Sequence, residues 1–387
     1  MSIFLIVLLL VVAYAPCSIG FSLPVNRLLR AAAALVLFLL AIGIQIALFA
    51  AILPRAVLLP AAWLSGTMIF ATPILFVRDV ILLGLHLGRK KLRWKSWQSL
   101  VLVLTVSGLL AFCGECNAVR PPEVKTTEIA LPGLPKEFDG FRIIYLSDLH
   151  ISPVTPPSYL WTVVCRTNAR HPDLVLLGGD LGDMKPEHIP SMMHQLGDIH
   201  SRYGVYSSPG NHEYIHGLED WIAFLDSVGI ETLLNRHVVI ERDGAKLVVA
   251  GLPDEMRGNP AFEGKELPDM EKTLAGAPEG APVILLAHQP RKARQHAAEG
   301  ASLQLSGHTH GGMIAFFGSL PVKLYNRGFV SGLYYVNGMK LYVSNGAGLW
   351  NGFLFRLGVP SEISEIVLRS PDVIVGGRQE PAPALAD

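Results

Sequence analysis

The sequence predicts two physically different parts: an all-α region made for a bilayer, then an α/β domain with buried sheet strands. Three observations carry this. Long charge-free apolar runs are confined to the first third of the 387 residues. The charge divides at the same place: up to Arg120 the chain holds ten of its 32 Lys/Arg but two of its 32 Asp/Glu, so +8 precedes that residue and −8 follows it. Beyond it, short apolar runs alternate with helical stretches, and one run after another ends in Asp, Asn or His.

In the first part, residues 3–15 are almost wholly apolar, 31–53 and 56–77 carry no charge, and 99–111 form a shorter fourth run. A span needs roughly 20 apolar residues. Nearly adjacent runs of this length would have no polar face to show to water, which excludes a soluble core. Ala13-Tyr14-Ala15 resembles a signal-peptide cleavage site, but no positive n-region precedes it. The reading is an anchor of about four transmembrane helices over residues 1–118. Arg89, Lys90, Lys91, Arg93 and Lys95 form the densest positive cluster, and Arg27 and Arg30 fall on the same side. Cytoplasmic loops collect such residues. A count of four then gives a multi-pass cell-membrane protein with its second part outside the cytoplasm; an error of one span inverts this.

The second part opens with a linker and first strand over residues 119–140, where Pro121 and Pro122 stand. Its main domain is expected over 141–372. Phe141 to Leu146 reads as a buried strand, followed by a helix around Ser158 to Asn168. Leu174 to Leu177 is a second strand, with a helix around Glu187 to His200. Val205 to Ser207 is a third, with a helix around Leu218 to Val228. Val238 to Ala250 reads as a hairpin turning at Asp243-Gly244. Further strands follow at Val283 to Ala287, Ser302 to Leu305, Leu341 to Ser344 and Ile363 to Leu368. Residues 373–387 are Pro/Ala-rich and are expected to be disordered. The acidity of this part gives no support to a nucleic-acid surface. Four cysteines make no disulfide scaffold, and Cys113-Gly-Glu-Cys116 lacks the second pair that a zinc site would need.

The polar residues recur at one place. Asp148 and His150, Asp180, Asn211 and His212, His288, and His308 with His310 each follow the C-terminal end of an apolar strand. Open α/β sheets gather ligands at such ends. Carboxylate and amide oxygens with imidazoles, and no thiolate, suit Mn, Fe or Zn. There are enough donors for two divalent ions sharing one carboxylate. Such a pair, about 3.5–4 Å apart, can activate a bridging hydroxide and clamp the oxygens of an in-line displacement at phosphorus. Gly179, Gly210 and Gly307 leave room where a side chain would crowd the cavity.

Taken singly these signals are weak, but the ordered set is specific. Ser147-Asp148-Leu149-His150, Gly179-Asp180, Gly210-Asn211-His212-Glu213, His288 and Gly307-His308-Thr309-His310 resemble the five motifs of the calcineurin-like metallophosphoesterase superfamily, in order, over residues 141–312. The anchored arrangement looks most like its bacterial branch of YkuE-type phosphoesterases. The resemblance implies a four-layer α/β/β/α sandwich. It implies one metal held by Asp148, His150, Asp180 and His310, and another by Asp180, Asn211, His288 and His308, with Asp180 shared. His212 would contact the phosphate and protonate the leaving oxygen.

Other positions stay open at this stage. Asp183 and Glu213 read as hydrogen-bonding support rather than ligands. Asp254 supports the site or begins a turn; Arg356 meets substrate phosphate or is an ordinary surface arginine. Met313 stands where this branch often has Gln. Phe316, Tyr325, Phe329, Tyr334, Tyr335, Trp350 and Phe353 form either an apolar rim for a lipid substrate or, the heavier alternative, core packing. The activity expected is hydrolysis of phosphomono- or diesters. The alternatives are lipid-linked pyrophosphate cleavage of the UDP-2,3-diacylglucosamine hydrolase type, and a non-catalytic receptor with a degenerate domain, which a complete ligand set disfavours.

Overall fold

The computed structural model describes residues 3–50, 53–89, 96–189, 191–256, 259–348, 350 and 352–371. Lys90, Lys91, Arg93, Lys95 and the tail expected over 373–387 lie outside them. The chain forms two units: Met1–Val119 with Asn351–Leu357, and Arg120–Trp350 with Gly358–Asp387.

The helical unit contains α1 (Ile3–Ser22), α2 (Arg27–Ala50), α3 (Arg55–Leu87) and α4 (Ser96–Ala118). Among the described residues, α2, α3 and α4 are long and apolar enough to cross a membrane. The fourth is not short, as the apolar run suggested: α4 has 23 residues and continues beyond Ala111 through Gly114, Glu115 and Asn117 to Ala118. Likewise α3 runs on to 33 residues past Arg78 and Asp79. Those two charges are paired with each other and with Tyr14 and Ser18 of α1, whose hydroxyls donate to Asp79 Oδ2 at 2.8 and 2.6 Å. Small residues permit close approach, as bilayer packing favours: a Cβ on Gly20 would meet Ala34 at 2.6 Å. Leu28, Leu39, Leu83, Leu87 and Phe112 point outward and are more than half exposed, a surface suited to acyl chains rather than water.

The α/β unit has two six-stranded mixed sheets. The first is ordered β1-β12-β2-β3-β4-β5, from β1 (Glu123–Ala130), β12 (Glu362–Arg369), β2 (Arg142–Leu146), β3 (Leu174–Leu177), β4 (Val205–Ser207) and β5 (Glu231–Thr232). The second is ordered β10-β11-β9-β8-β7-β6, from β10 (Gly332–Val336), β11 (Met339–Val343), β9 (Leu303–Ser306), β8 (Val283–Leu286), β7 (Ala245–Gly251) and β6 (Arg236–Arg242). One core joins the sheets face to face, through Ile143, Tyr145, Leu176, Val249, Leu286 and Leu305. A second lies between the first sheet and α5 (Tyr159–Asn168) with α7 (Leu218–Ser227). A third covers the outer face of the second sheet with α8 (Met270–Leu274) and α9 (Ala293–Ala298). That is the four-layer sandwich. Strands β3, β8 and β9 are buried at every position, which explains the unbroken apolar runs of β3 and β8.

The β6–β7 hairpin turns at Asp243 and Gly244, both with positive φ (52° and 82°), as a tight two-residue turn requires. The helix expected over 187–200 is instead two 3₁₀ segments, Pro186–His188 and Ser191–Asp198. Pro186 opens the first of them, at a position where its missing N–H is tolerated. For the site, the decisive feature is parallel pairing. β2, β3 and β4 lie side by side in one sheet, and β7, β8 and β9 in the other, so their C-terminal ends gather.

Candidate metal centre

Each polar residue singled out above sits just past one of these strand ends. Asp148 and His150 follow β2, and Asp180 follows β3. Asn211 opens α6 (Asn211–His216) after β4; His288 follows β8, and His308 and His310 follow β9. All are buried except His308, which is partly exposed. Five of the seven have left-handed backbone: Asp148 (φ 54°), His150 (45°), Asp180 (54°), His308 (68°) and His310 (48°). Non-glycine residues pay roughly 1–3 kcal/mol for such conformations, which concentrate at functional sites. Here they replace strand alternation, so that residues two apart serve one cavity.

The donors form two groups that share a boundary. In the first, Asp148, His150 and His310 offer ligand atoms within 4.8 Å of one another; His310 Nε2 lies 3.6 Å from Asp148 Oδ1 and 3.1 Å from His150 Nε2. In the second, Asp180, His288 and His308 do the same, with His288 Nε2 3.1 Å from Asp180 Oδ2. That same Asp180 oxygen is 3.7 Å from His150 Nε2, so it faces both groups. Asn211 Oδ1 is buried with no hydrogen-bond partner among the described residues. A buried acceptor in that state is what a cation would take up.

The surrounding bonds fix each ligand's orientation. His288 Nδ1 bonds Gly178 O at 2.7 Å and His150 Nδ1 bonds Asp183 Oδ1 at 2.6 Å, which turns both Nε2 atoms inward. Backbone N–H groups hold the carboxylates: His308 N–H donates to Asp148 Oδ1 at 2.9 Å, and His212 N–H to Asp180 Oδ1 at 2.8 Å. Asp183 also meets His212 Nδ1 at 2.8 Å, so it joins His150 to His212. Glu213 accepts from the N–H groups of Asp180, Leu181 and Gly210 at 2.9, 2.7 and 2.7 Å. It ties the β3 loop to the start of α6. Asp254 supports the site rather than beginning a turn, since it takes both Gln289 Nε2 hydrogen bonds (3.0 and 2.8 Å) beside His288.

All three glycines named above are required by space: a Cβ on Gly179 would lie 2.1 Å from Gly210 N. A Cβ on Gly210 would lie 2.3 Å from Asp180 Oδ1, and one on Gly307 would lie 2.2 Å from Asp148 Oδ2.

The electrostatics point the same way. Burial pushes Asp148 up. Burial also opposes charge on Asp180 and Asp183, yet the imidazoles of His288, His212 and His150 hold Asp180, and those of His150 and His212 hold Asp183, well below the usual carboxylate range. Burial works against charge on His212 as well, but Asp180 and Asp183 outweigh it and push it up to about 9. His308 goes the other way, to about 3, through burial and the neighbouring His288. Clustered buried carboxylates that draw protons onto nearby imidazoles make a cavity built for positive charge.

Residues 141–312 match the family described as Calcineurin-like phosphoesterase. Over 287 residues the chain is 36% identical to an uncharacterized metallophosphoesterase of Helicobacter pylori (strain 26695), covering 73% of each chain. The chain belongs to the calcineurin-like phosphoesterases. YkuE of Bacillus subtilis, itself named an uncharacterized metallophosphoesterase, is 31% identical over 265 residues, 66% of this chain and 90% of that one. A Danio rerio transmembrane protein with metallophosphoesterase domain is 36% identical over 281 residues, 71% of this chain; the chain spans 63% of that relative's length. Residues 141–312 are thus a calcineurin-like phosphoesterase domain, a family of metallophosphoesterases.

Several expectations around this metallophosphoesterase site are revised. Arg356 is buried, with its backbone N–H donating to Gly114 O at 2.9 Å, so it is not an ordinary surface arginine. The supposed aromatic rim separates. Tyr325 and Trp350 stand beside the site, 6.3 Å from the His308 ring and 6.5 Å from the His212 ring. Phe329 is core beneath the second sheet, and Phe353 pairs with Phe355 in the helical unit. The Tyr334 hydroxyl takes the Val330 and Ser331 N–H groups. Gln289 was not foreseen; its one sequence signal was adjacency to His288.

Proposed function

We propose that this protein is a membrane-anchored, dinuclear phosphoesterase that hydrolyses phosphomono- or diesters. The observation that carries the reading is Asp180, whose one carboxylate oxygen faces both donor groups. Asp148, His150, Asp180 and His310 would hold one divalent ion; Asp180, Asn211, His288 and His308 would hold the other, with Mn, Fe or Zn suiting the donors. When bound, such ions supply charge stabilisation at phosphorus and a nucleophile at neutral pH. The protein's own groups do the rest. His212 carries its proton on Nε2 toward the leaving oxygen, while its Nδ1 is held by Asp183. Glu213 and the backbone N–H groups fix the carboxylates before substrate arrives, which is the preorganisation such chemistry needs.

The domain boundary assigned here is an anchor of about four spans to residue 118 and a hydrolase domain over 141–372, with the hydrolase outside the cytoplasm. The test of side is a reporter fused after Asp387, active only in one compartment. The test of activity is turnover of bis-p-nitrophenyl phosphate and p-nitrophenyl phosphate by the full chain with Mn²⁺. Asp180→Ala is expected to lose metal and turnover together. His212→Ala is expected to keep metal and lose turnover by about 10²–10⁴-fold, the range for a general acid. A metal-loaded wild-type chain inert toward both ester types would overturn the reading.

A further inference from the structure

The segment that leaves the last metal motif is unlike the rest of the α/β unit's surface. From Met313 it runs out through Ala315 and returns along α10 (Ser319–Tyr325), bringing the Tyr325 ring to 6.3 Å from His308. Its large apolar side chains face outward: Phe316 is 89% exposed, Phe317 84%, Leu320 61% and Leu324 67%. Soluble surfaces rarely expose contiguous apolar groups of this size without a partner. The segment is braced rather than loose. Gly318 N–H donates to Ile314 O at 2.9 Å, and Asn326 N–H donates to Val322 O at 2.9 Å.

Two further observations identify what covers it. The first is charge. This half of the chain is acidic by eight, yet no Asp or Glu occurs between Glu299 and Glu362. The charged residues within that interval are Lys323, Arg327, Lys340 and Arg356, and the first two stand exposed in or just after the lip. Arg291 reaches the same place, with its guanidinium 5.8 Å from the Tyr325 ring centre. Exposed aromatics and leucines flanked by cations, in an interval of sequence without acids, match the layered chemistry of a bilayer surface: acyl chains beneath, phosphates above. The second is tethering. α4, long enough to cross a membrane, ends at Ala118, and β1 begins at Glu123.

We propose that residues 314–325 form a lip that inserts into the bilayer surface, so that the metal centre takes phosphoesters of amphiphilic, membrane-embedded molecules. The choice of substrate rests on the phosphoesterase reading above; the insertion does not. Lys323 and Arg327 would meet the anionic headgroup layer while Phe316, Phe317, Leu320 and Leu324 lie among acyl chains. A second copy of the chain is the competing occupant, but two such lips would bring like charges together.

Insertion is read without turnover. The four native cysteines, all free, are replaced by serine in the full chain, and single cysteines at Phe317, Leu320 or Leu267 carry a nitroxide in phosphatidylcholine/phosphatidylglycerol nanodiscs. Leu267 is also exposed, at 64%, and serves as the water-facing control. Labels at 317 and 320 are expected to be more accessible to oxygen than to a nickel chelate, and the label at 267 the reverse. Equal, water-like accessibility at all three overturns the insertion. So does dipolar broadening at 317 and 320, which would assign the face to a second copy.

Substrate choice is read with two matched diesters, hexadecyl p-nitrophenyl phosphate in vesicles and methyl p-nitrophenyl phosphate in solution. A Phe316→Ser/Phe317→Ser/Leu320→Ser variant is expected to lose at least about tenfold on the first and nothing on the second, since each lost side chain gives up a transfer energy of that order. Equal effects on both esters overturn the substrate assignment. Failure of the wild-type chain on both overturns it together with the phosphoesterase reading, whatever the nitroxides report.

Discussion

Glu213 offers the sharpest check on how the centre is held. Its carboxylate is buried and accepts three backbone N–H groups, from Asp180, Leu181 and Gly210. Glu213→Ala leaves all three donors without that acceptor. A buried unsatisfied donor costs about 1–3 kcal/mol. Taking the low end, because neighbouring losses overlap and water can enter the gap, gives about 3 kcal/mol. For a unit of this size that corresponds to a fall in Tm of roughly 6–12 °C. Glu213→Gln retains one acceptor oxygen but sets an amide N–H₂ against backbone donors, so it should fall between. The assay is thermal unfolding of the detergent-solubilised full chain followed by tryptophan fluorescence, with metal content measured alongside. Because the loop that Glu213 ties down carries Asp180, metal affinity should fall in the same order: wild type, Gln, Ala. A Glu213→Ala chain that melts within 2 °C of wild type and binds metal as tightly would refute the clamp (a threshold set at about 1 kcal/mol).

Two further outcomes follow from the packing. Gly307→Ala places a methyl 2.2 Å from Asp148 Oδ2, so it should displace that carboxylate at an overpacking cost of about 1–3 kcal/mol and weaken metal binding, as equilibrium dialysis would register. Glu365, wholly buried, accepts from Arg170 (3.0 and 2.6 Å), Arg142 (3.0 Å) and Thr126 (2.5 Å). Burial opposes its charge, but these bonds outweigh it and hold its pKa below the ordinary value. Its contribution is therefore present above about pH 4.3, the unfolded value, and is lost as pH falls toward the lower folded one. Glu365→Gln should cost about 1–3 kcal/mol near neutrality, toward the low end because Arg170 and Arg142 are 39% and 46% exposed. The gap in melting temperature from wild type should narrow below that pH.

The order of ligands was legible because each follows a short strand signal, and at β3 and β8 a continuous apolar run announces burial on both faces; Leu174 to Leu177 ending at Gly178-Gly179-Asp180 is the plainest case. The partition of His308 and His310 between two metals came with the family resemblance and remains the proposal; the structure groups His310 with Asp148 and His150, and His308 with Asp180 and His288. The left-handed backbone at Asp148, His150, Asp180, His308 and His310 was not legible, since Asp and His adopt it more readily than most residues but still in a small minority of positions. Helix length was misjudged at α4 because an apolar window ends at the first polar residues, whereas helices continue through small ones. The aromatics failed for a different reason: their spacing does not distinguish Phe329, buried beneath the second sheet, from Phe316, fully outside it. The acid-free interval from Glu299 to Glu362 was the better sequence signal for that surface.

The central claim is that two ions are held by distinct histidines around one shared carboxylate. It is tested most directly by counting metal per chain, by elemental analysis after Mn²⁺ loading, in wild type, His308→Ala and His310→Ala. The account predicts two ions in wild type and one in each variant, with phosphodiester turnover lost in both. One ion in the active wild-type chain, or two in either variant, would contradict it.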